Sequence, residues 1–349
     1  MRDCDILALS SADVAELLSG KELEIVHIVQ QAYQAHGRGQ SSLPHSTFLH
    51  FPPDVSKRII ALPAFLDGPI QSAGVKWISS FPGNLEHGVD RASAVLVLNS
   101  TTTGRAKAIM EGSLISARRT AASAALAART LQPKADVAGF IGCGPINFEV
   151  LSFLLAVCPG IKTLVVYDLD RARAEVFRER CLARDSSMDV IIAERRERVF
   201  ESATLISFAT TAGKPHVFDL KACAPGTVVL HVSLRDLSPE IILSADNVVD
   251  DVDHVCRAQT SIHLAEQQVG NRNFVRCTLP EILNGAAAPR SDSDSLVVFS
   301  PFGLGILDIA LGQYVFQESV RRRKGTVLPS FLPDSWISAS VNANAMQGI

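Results

Sequence analysis

The apolar positions along the chain change period several times, and each period predicts an element. After Ser10, whose spacing to Asp13 is that of a capping box, Val14, Leu17 and Leu18 recur at helical spacing. A second amphipathic stretch over residues 23–36 stops at Gly37 and Gly39. Strand-like runs follow over residues 46–51, 58–63, 74–79 and 92–98, separated by Pro52-Pro53, Gly68-Pro69 and Pro82-Gly83-Asn84. Residues 113–131 are rich in alanine and stop before Pro133, which predicts a long helix packed closely on its neighbours.

From Asp136 onward the pattern becomes one of short, wholly apolar runs. Residues 137–141 predict a buried strand, a helix follows to about Val157, and residues 163–167 predict a second strand with Asp168 at its end. Further apolar runs lie at 190–192, 204–208, 227–232 and 247–249. Strands alternating with helices predict an α/β fold with a parallel, doubly wound sheet. Residues 285–295 (GAAAPRSDSDS) read as a loose linker, followed by a strand at 296–299 and a helix from about Leu307. The last dozen residues, with Asn342, Asn344 and Gly348, read as a fraying tail.

At 349 residues the chain is long enough for about two domains. Lys plus Arg number 33 against 36 Asp plus Glu, a formal charge of −3, which argues against duplex nucleic acid or an anionic membrane as partner. Apolar residues are 47% and charged residues 20%, enough for a sizeable core. No apolar run approaches the roughly 18 residues of a membrane span. Met1-Arg-Asp-Cys-Asp-Ile lacks the pattern of a secretion signal. Seven cysteines without a C-x-x-C pair fit neither a disulfide framework nor a zinc ribbon. Asp250, Asp251, Asp253 and His254 lack metal-ligand spacing and read as a strand end with helix-capping carboxylates. The expectation is a cytoplasmic, reduced globular protein without a metal site.

Gly142, Gly144, Pro145, Ile146 and Asn147 form G-x-G-x-x-N between a predicted strand and a predicted helix. Gly142 permits the tight turn, and Gly144 lets the backbone approach a pyrophosphate at the helix N-terminus. Asn147 stands where a third glycine is usual. Asp168 ends the next strand, where an acid binds a ribose diol. This is a Rossmann arrangement. A carboxylate there repels a 2′-phosphate and favours NAD over NADP, although Arg171 and Arg173 lie close by in the chain.

Three charged candidates sit among apolar or small residues. Lys76, in Ala-Gly-Val-Lys-Trp-Ile, is a lysine half buried in a strand. Arg118 and Arg119 interrupt the alanine-rich helix, and a guanidinium holds a carboxylate bidentately. Equally, one arginine can be exposed and the other ion-paired with Glu111 or Asp308. Asp236 follows a strand of the parallel sheet, whose carboxyl ends line the cofactor crevice, so it reads as an acid–base group or as a helix N-cap.

Together these stretches resemble the ornithine cyclodeaminase/mu-crystallin family from Leu43 to about Phe316. The motifs are Lys76 with Pro82-Gly-Asn, then Thr103-Gly-Arg-Ala-Lys-Ala-Ile-Met-Glu-Gly, then Ile115-Ser-Ala-Arg-Arg-Thr-Ala-Ala, the glycine turn, Asp236 and Phe302-Gly-Leu-Gly-Ile-Leu-Asp308. The resemblance implies that Lys76 and Arg119 hold a substrate α-carboxylate and that Asp236 acts on the substrate nitrogen or on water. It also implies that Arg119, Thr210 and Gly303 contact the cofactor, NAD. A substrate-binding and dimerisation domain of residues 1–131 and 297–349 would then enclose a Rossmann domain of residues 132–296, in a homodimer.

His45 replaces an arginine that many members carry after the proline at Pro44. Leu43-Pro-His-Ser-Thr, Arg58-Ile-Ile-Ala-Leu-Pro-Ala and Arg91-Ala-Ser-Ala resemble the branch that oxidises N-(2-amino-2-carboxyethyl)-L-glutamate to L-2,3-diaminopropionate and 2-oxoglutarate. That branch serves siderophore and peptide-antibiotic biosynthesis. Its substrate carries three carboxylates, for which His45, Arg58 and Arg91 are candidate ligands. The alternatives are ornithine cyclodeaminase, another amino-acid or ketimine oxidoreductase, and a non-catalytic crystallin-like binding protein.

Overall fold

The computed structural model describes residues 2–52, 54–132 and 134–334. Among them the strands are, in chain order, β1 (Ile6–Leu9), β2 (Ser41–Ser42), β3 (Thr47–Phe51), β4 (Asp54–Leu66), β5 (Ser72–Ser80), β6 (Ala92–Asn99), β7 (Ala106–Glu111) and β8 (Val137–Ile141). Then come β9 (Thr163–Tyr167), β10 (Asp189–Ile192), β11 (Leu205–Phe208), β12 (Val228–His231), β13 (Asp246–Val249), β14 (Val275–Thr278), β15 (Val297–Ser300) and β16 (Thr326–Leu328). Contacts divide the chain into two units. One holds Met1–Gly20, Ser41–Ser116 and the chain from Asp308 onward; the other holds Lys21–Gln40 and Ala117–Leu307.

The first unit is a sheet ordered β16-β1-β7-β6-β5-β4-β2, with β3 also paired to β4. From β4 to β7 it is antiparallel, while β1 runs parallel to β7 and antiparallel to β16. The predicted capping box is present: Ser10 and Asp13 bond reciprocally at the start of the helix Ser11–Leu18, which buries Val14, Leu17 and Leu18. Leu96, Leu98, Ala108 and Met110 line the buried face of the sheet.

The second unit is an all-parallel sheet ordered β10-β9-β8-β11-β12-β15-β13-β14. Its central strands are buried along their whole length, which is why they read as unbroken apolar runs. Chain order reverses beside β8: β9 and β10 lie to one side, β11 and β12 to the other. Such a switch point, at the carboxyl ends of β8 and β11, is where a doubly wound sheet offers its ligand crevice.

Three details differ from the sequence reading. The contact boundary puts residues 21–40 and 117–131 with the parallel sheet, because Tyr33 bonds Ser123 at 2.8 Å and Gln34 bonds the Leu283 carbonyl at 3.0 Å. It also puts residues 297–307 there, because β15 pairs with β12 and β13. Residues 285–295 lack regular structure but are no loose linker. Arg290 donates to the carbonyls of Leu131, Gly226 and Ser295, and Arg276 donates to those of Ala288 and Pro289. The predicted tail lies outside the described residues. No helix among the described residues is long and apolar enough to cross a membrane.

Candidate active site

In the parallel-sheet unit, β8 ends at Ile141 and the chain turns at Gly142 with φ +89°. A Cβ there would lie 2.6 Å from the Ala209 carbonyl oxygen, so both conformation and space require glycine. Gly144 caps the helix Pro145–Val157, with Pro145 in its first turn, and a Cβ on Gly144 would meet nothing within 4 Å. That open space before the helix N-terminus is the cradle a pyrophosphate needs.

Asn147 is spent inside the protein. Its buried amide donates to the carbonyls of Ile141 (3.0 Å) and Gly142 (2.6 Å) and accepts from Ser207 (2.7 Å). The side chain thus braces the glycine loop from behind. Asp168, just past β9, accepts from the Cys143 and Asp170 amides at 2.7 and 2.9 Å. These residues fit a dinucleotide.

Asp236 is fully buried just past β12. One oxygen accepts from the Thr210 hydroxyl and lies 3.0 Å from His216 Nε2; the other accepts from Ser233 and lies 3.3 Å from His231 Nε2. Burial opposes ionisation, but the side-chain hydrogen bonds from His216, His231 and Ser233 outweigh it, and the carboxyl sits far below the usual range. Asp236 is not a helix cap: Ser238 caps the helix Pro239–Ser244. Leu234 adopts φ +68° in this turn, a strained conformation for a branched residue. The sequence reading missed both histidines. His231 ends β12 and is buried; His216 is partly exposed, and its Nδ1 lies 3.3 Å from Arg196. Thr210, expected at the cofactor, has its hydroxyl on Asp236.

The two adjacent arginines separate clearly. Arg118 pairs with Glu22, lies 3.7 Å from Glu149, and stacks over Phe153. Glu111 is spent elsewhere, accepting from the Ser113 and Leu114 amides at the start of the helix Ser113–Leu131. Arg119 instead lies against Gly303, where a Cβ would be 2.6 Å from its Nη1 and φ is +90°. Buried Asp250 fixes that turn by accepting from the Phe302 and Gly303 amides at 2.8 and 2.7 Å. Its neighbour Asp251 caps the helix Val252–Val255, which accounts for the acidic cluster.

In the antiparallel unit, Lys76 is buried outright, not half buried. Its ammonium is 2.8 Å from Asp308 and 3.0 Å from Ser116. Paired residues of antiparallel strands share a face, and alternate residues return to it. Lys76 therefore shares a face with Ile78 and Ser80 of β5 and with Leu62, Ile60 and Arg58 of β4. Arg91, before β6, donates to Ser80 at 3.3 Å. His45 is exposed between β2 and β3.

Residues 6–323 match the ornithine cyclodeaminase/mu-crystallin family. The chain belongs to that family. It is 27% identical to the N-((2S)-2-amino-2-carboxyethyl)-L-glutamate dehydrogenase of Staphylococcus aureus over 93% of this chain and 98% of the relative. It is also 27% identical to the alanine dehydrogenase of Archaeoglobus fulgidus, over 94% and 99% respectively. Among solved structures, Thermococcus litoralis Δ(1)-pyrroline-2-carboxylate reductase, in complex with NADH and L-proline, superposes with a TM-score of 0.85 at 25% identity, over 92% of this chain and 99% of that one.

Proposed function

We propose that the protein is an NAD-dependent oxidoreductase that cleaves N-(2-amino-2-carboxyethyl)-L-glutamate to L-2,3-diaminopropionate and 2-oxoglutarate. The observation that carries the reaction type is Asp236, a buried carboxylate held ionised next to a dinucleotide crevice. The substrate rests on likeness to the Staphylococcus relative. NAD, when bound, accepts a hydride from the glutamate α-carbon. The loop from Gly142 to Asn147, with Pro145 and Ile146 in the first helix turn, would hold the pyrophosphate, and Asp168 would take the adenosine ribose diol. Each Asp168 oxygen has a second lone pair for this after accepting its backbone amide. Arg119, Thr210 and Gly303 serve the nicotinamide end.

Oxidation leaves an imine. Asp236 takes a proton from the attacking water and returns one to the amine nitrogen as the carbinolamine collapses. Substrate, NAD and water thus give 2-oxoglutarate, diaminopropionate, NADH and one proton. Lys76 and Arg119 supply cationic charge to the α-carboxylate, fixing the carbon that reacts. His45 is a further candidate substrate contact.

The antiparallel unit serves as substrate-binding and dimerisation domain. On the sheet face opposite Lys76, Leu49, Trp77 and Val95 are 48%, 46% and 42% exposed, an apolar surface suited to a second copy. The product would feed siderophore or peptide-antibiotic assembly in the cytoplasm. Incubation with NAD and this substrate should yield 2-oxoglutarate and diaminopropionate in equal amounts by mass spectrometry. Proline and ammonia from ornithine, with no product from the glutamate adduct, would overturn the assignment in favour of a cyclodeaminase.

A further inference from the structure

We infer that Arg58 and Arg91 form a carboxylate-binding site that selects substrates carrying a second carboxylate remote from the one held at Lys76. The inference rests on the reading that Lys76 receives the α-carboxylate.

Arg58 of β4 pairs in register with Ser80 of β5, and Ser80 pairs with Ala92, the first residue of β6. Arg91 precedes that residue and donates its Nε to Ser80 Oγ. Two guanidinium groups therefore flank one serine. Among the described residues neither makes an ion pair with a carboxylate. Arg58 Nε is buried without a hydrogen-bond partner. Burial and the Arg58 charge both push the Arg91 guanidinium below its ordinary value, and no acid offsets them.

Other arginines of this chain show what structural ones do. Arg118 pairs with Glu22, Arg276 with Asp246, and Arg290 spends its guanidinium on carbonyls. Two partly buried like charges without a counter-ion cost stability, which a bound anion would offset. A guanidinium fork matches a carboxylate bidentately, so carboxylate is the chemistry this pair fits.

Its place on the sheet sets the ligand's length. Arg58 lies four residues along β4 from Leu62, the register partner of Lys76. Four residues of strand span roughly 13 Å, and the long flexible arms of both side chains shorten the gap between their charged ends. Between them on the same face lie Ile60 and Ile78, an apolar floor for methylene groups. The arrangement suits a molecule with carboxylates several bonds apart. A small amino acid with a single carboxylate cannot reach both ends.

The test is a binding measurement on the full chain loaded with NADH, titrating 2-oxoglutarate and the monocarboxylate 2-oxobutyrate by calorimetry. Wild type should bind 2-oxoglutarate at least about 100-fold more tightly. Arg58→Gln and Arg91→Gln should each weaken 2-oxoglutarate by about 10–100-fold, leaving 2-oxobutyrate and NADH affinity unchanged and raising the melting temperature of the ligand-free protein. Arg91→Lys should retain part of the discrimination. A wild type that binds both acids alike would overturn the inference. So would variants that keep the wild-type ratio, or that weaken both acids equally. Binding is read without turnover: intact discrimination alongside no cleavage of the glutamate adduct overturns the proposed reaction alone.

Discussion

Lys76 and Asp308 stand 232 positions apart in the sequence and meet at 2.8 Å with both side chains buried. An ion pair taken out of water is costly to break from one side, because the surviving charge stays buried and uncompensated. Asp308→Ala should therefore cost about 3–5 kcal/mol in urea denaturation. The double variant Lys76→Met with Asp308→Leu should recover much of that stability. Equal destabilisation in the single and double variants would mean that packing, not charge, holds this contact.

That pairing also marks where sequence reading reaches its limit. Seven of the eight parallel strands were legible because they are apolar runs bounded by turn residues, and because Gly142 and Asp168 announce the crevice; β14, Val-Arg-Cys-Thr, carries no such run and went unread. In the antiparallel unit β1, β2, β7 and β16 went unread. β1 and β16 are short, and they pair across nearly the whole chain, which no local period reveals. The same holds at the site. Lys76, Arg119 and Asp236 were legible from neighbours that leave them little reason to be charged. His216 was not assigned, and Asp308 was offered to an arginine and not to Lys76, because what makes each matter is a partner distant in sequence.

Asp236→Asn should keep NADH binding and lose turnover by about 100-fold or more, read by fluorescence titration beside steady-state rates. Its pH signature has a definite sign. The folded pKa is depressed, so its contribution to stability is complete above the ordinary carboxylate range near 4 and is lost as pH falls below it. Asp236→Asn should therefore flatten part of the acid limb of a melting-temperature profile. An unchanged limb would mean that the carboxyl is not ionised in the folded protein.

His254 gives the opposite sign. Its hydrogen bond to Asp251 raises its pKa, so the pair stabilises the fold fully below about pH 6.5 and fades as pH rises through the raised value. The melting-temperature difference between wild type and His254→Gln should be larger at pH 6 than at pH 9. A difference that grows with pH would contradict the assignment.

Gly303→Ala should force a side chain into the Arg119 guanidinium at a backbone angle that disfavours it. Catalytic efficiency should fall at least about tenfold while circular dichroism stays native. Unaltered kinetics would remove the Gly303 turn from the site.

The exposed face around Trp77 and Val95 should bury itself between two copies. Trp77→Asp should convert a dimer to a monomer in light scattering, and a monomeric wild type would refute the dimer.

The most direct measurement is NADH formation by near-ultraviolet absorbance, with NAD and, separately, N-(2-amino-2-carboxyethyl)-L-glutamate, L-alanine and L-ornithine. Absorbance should rise with the glutamate adduct alone, one 2-oxoglutarate appearing per NADH. A rise with alanine instead, or none with the adduct at saturating NAD, would contradict the proposed reaction.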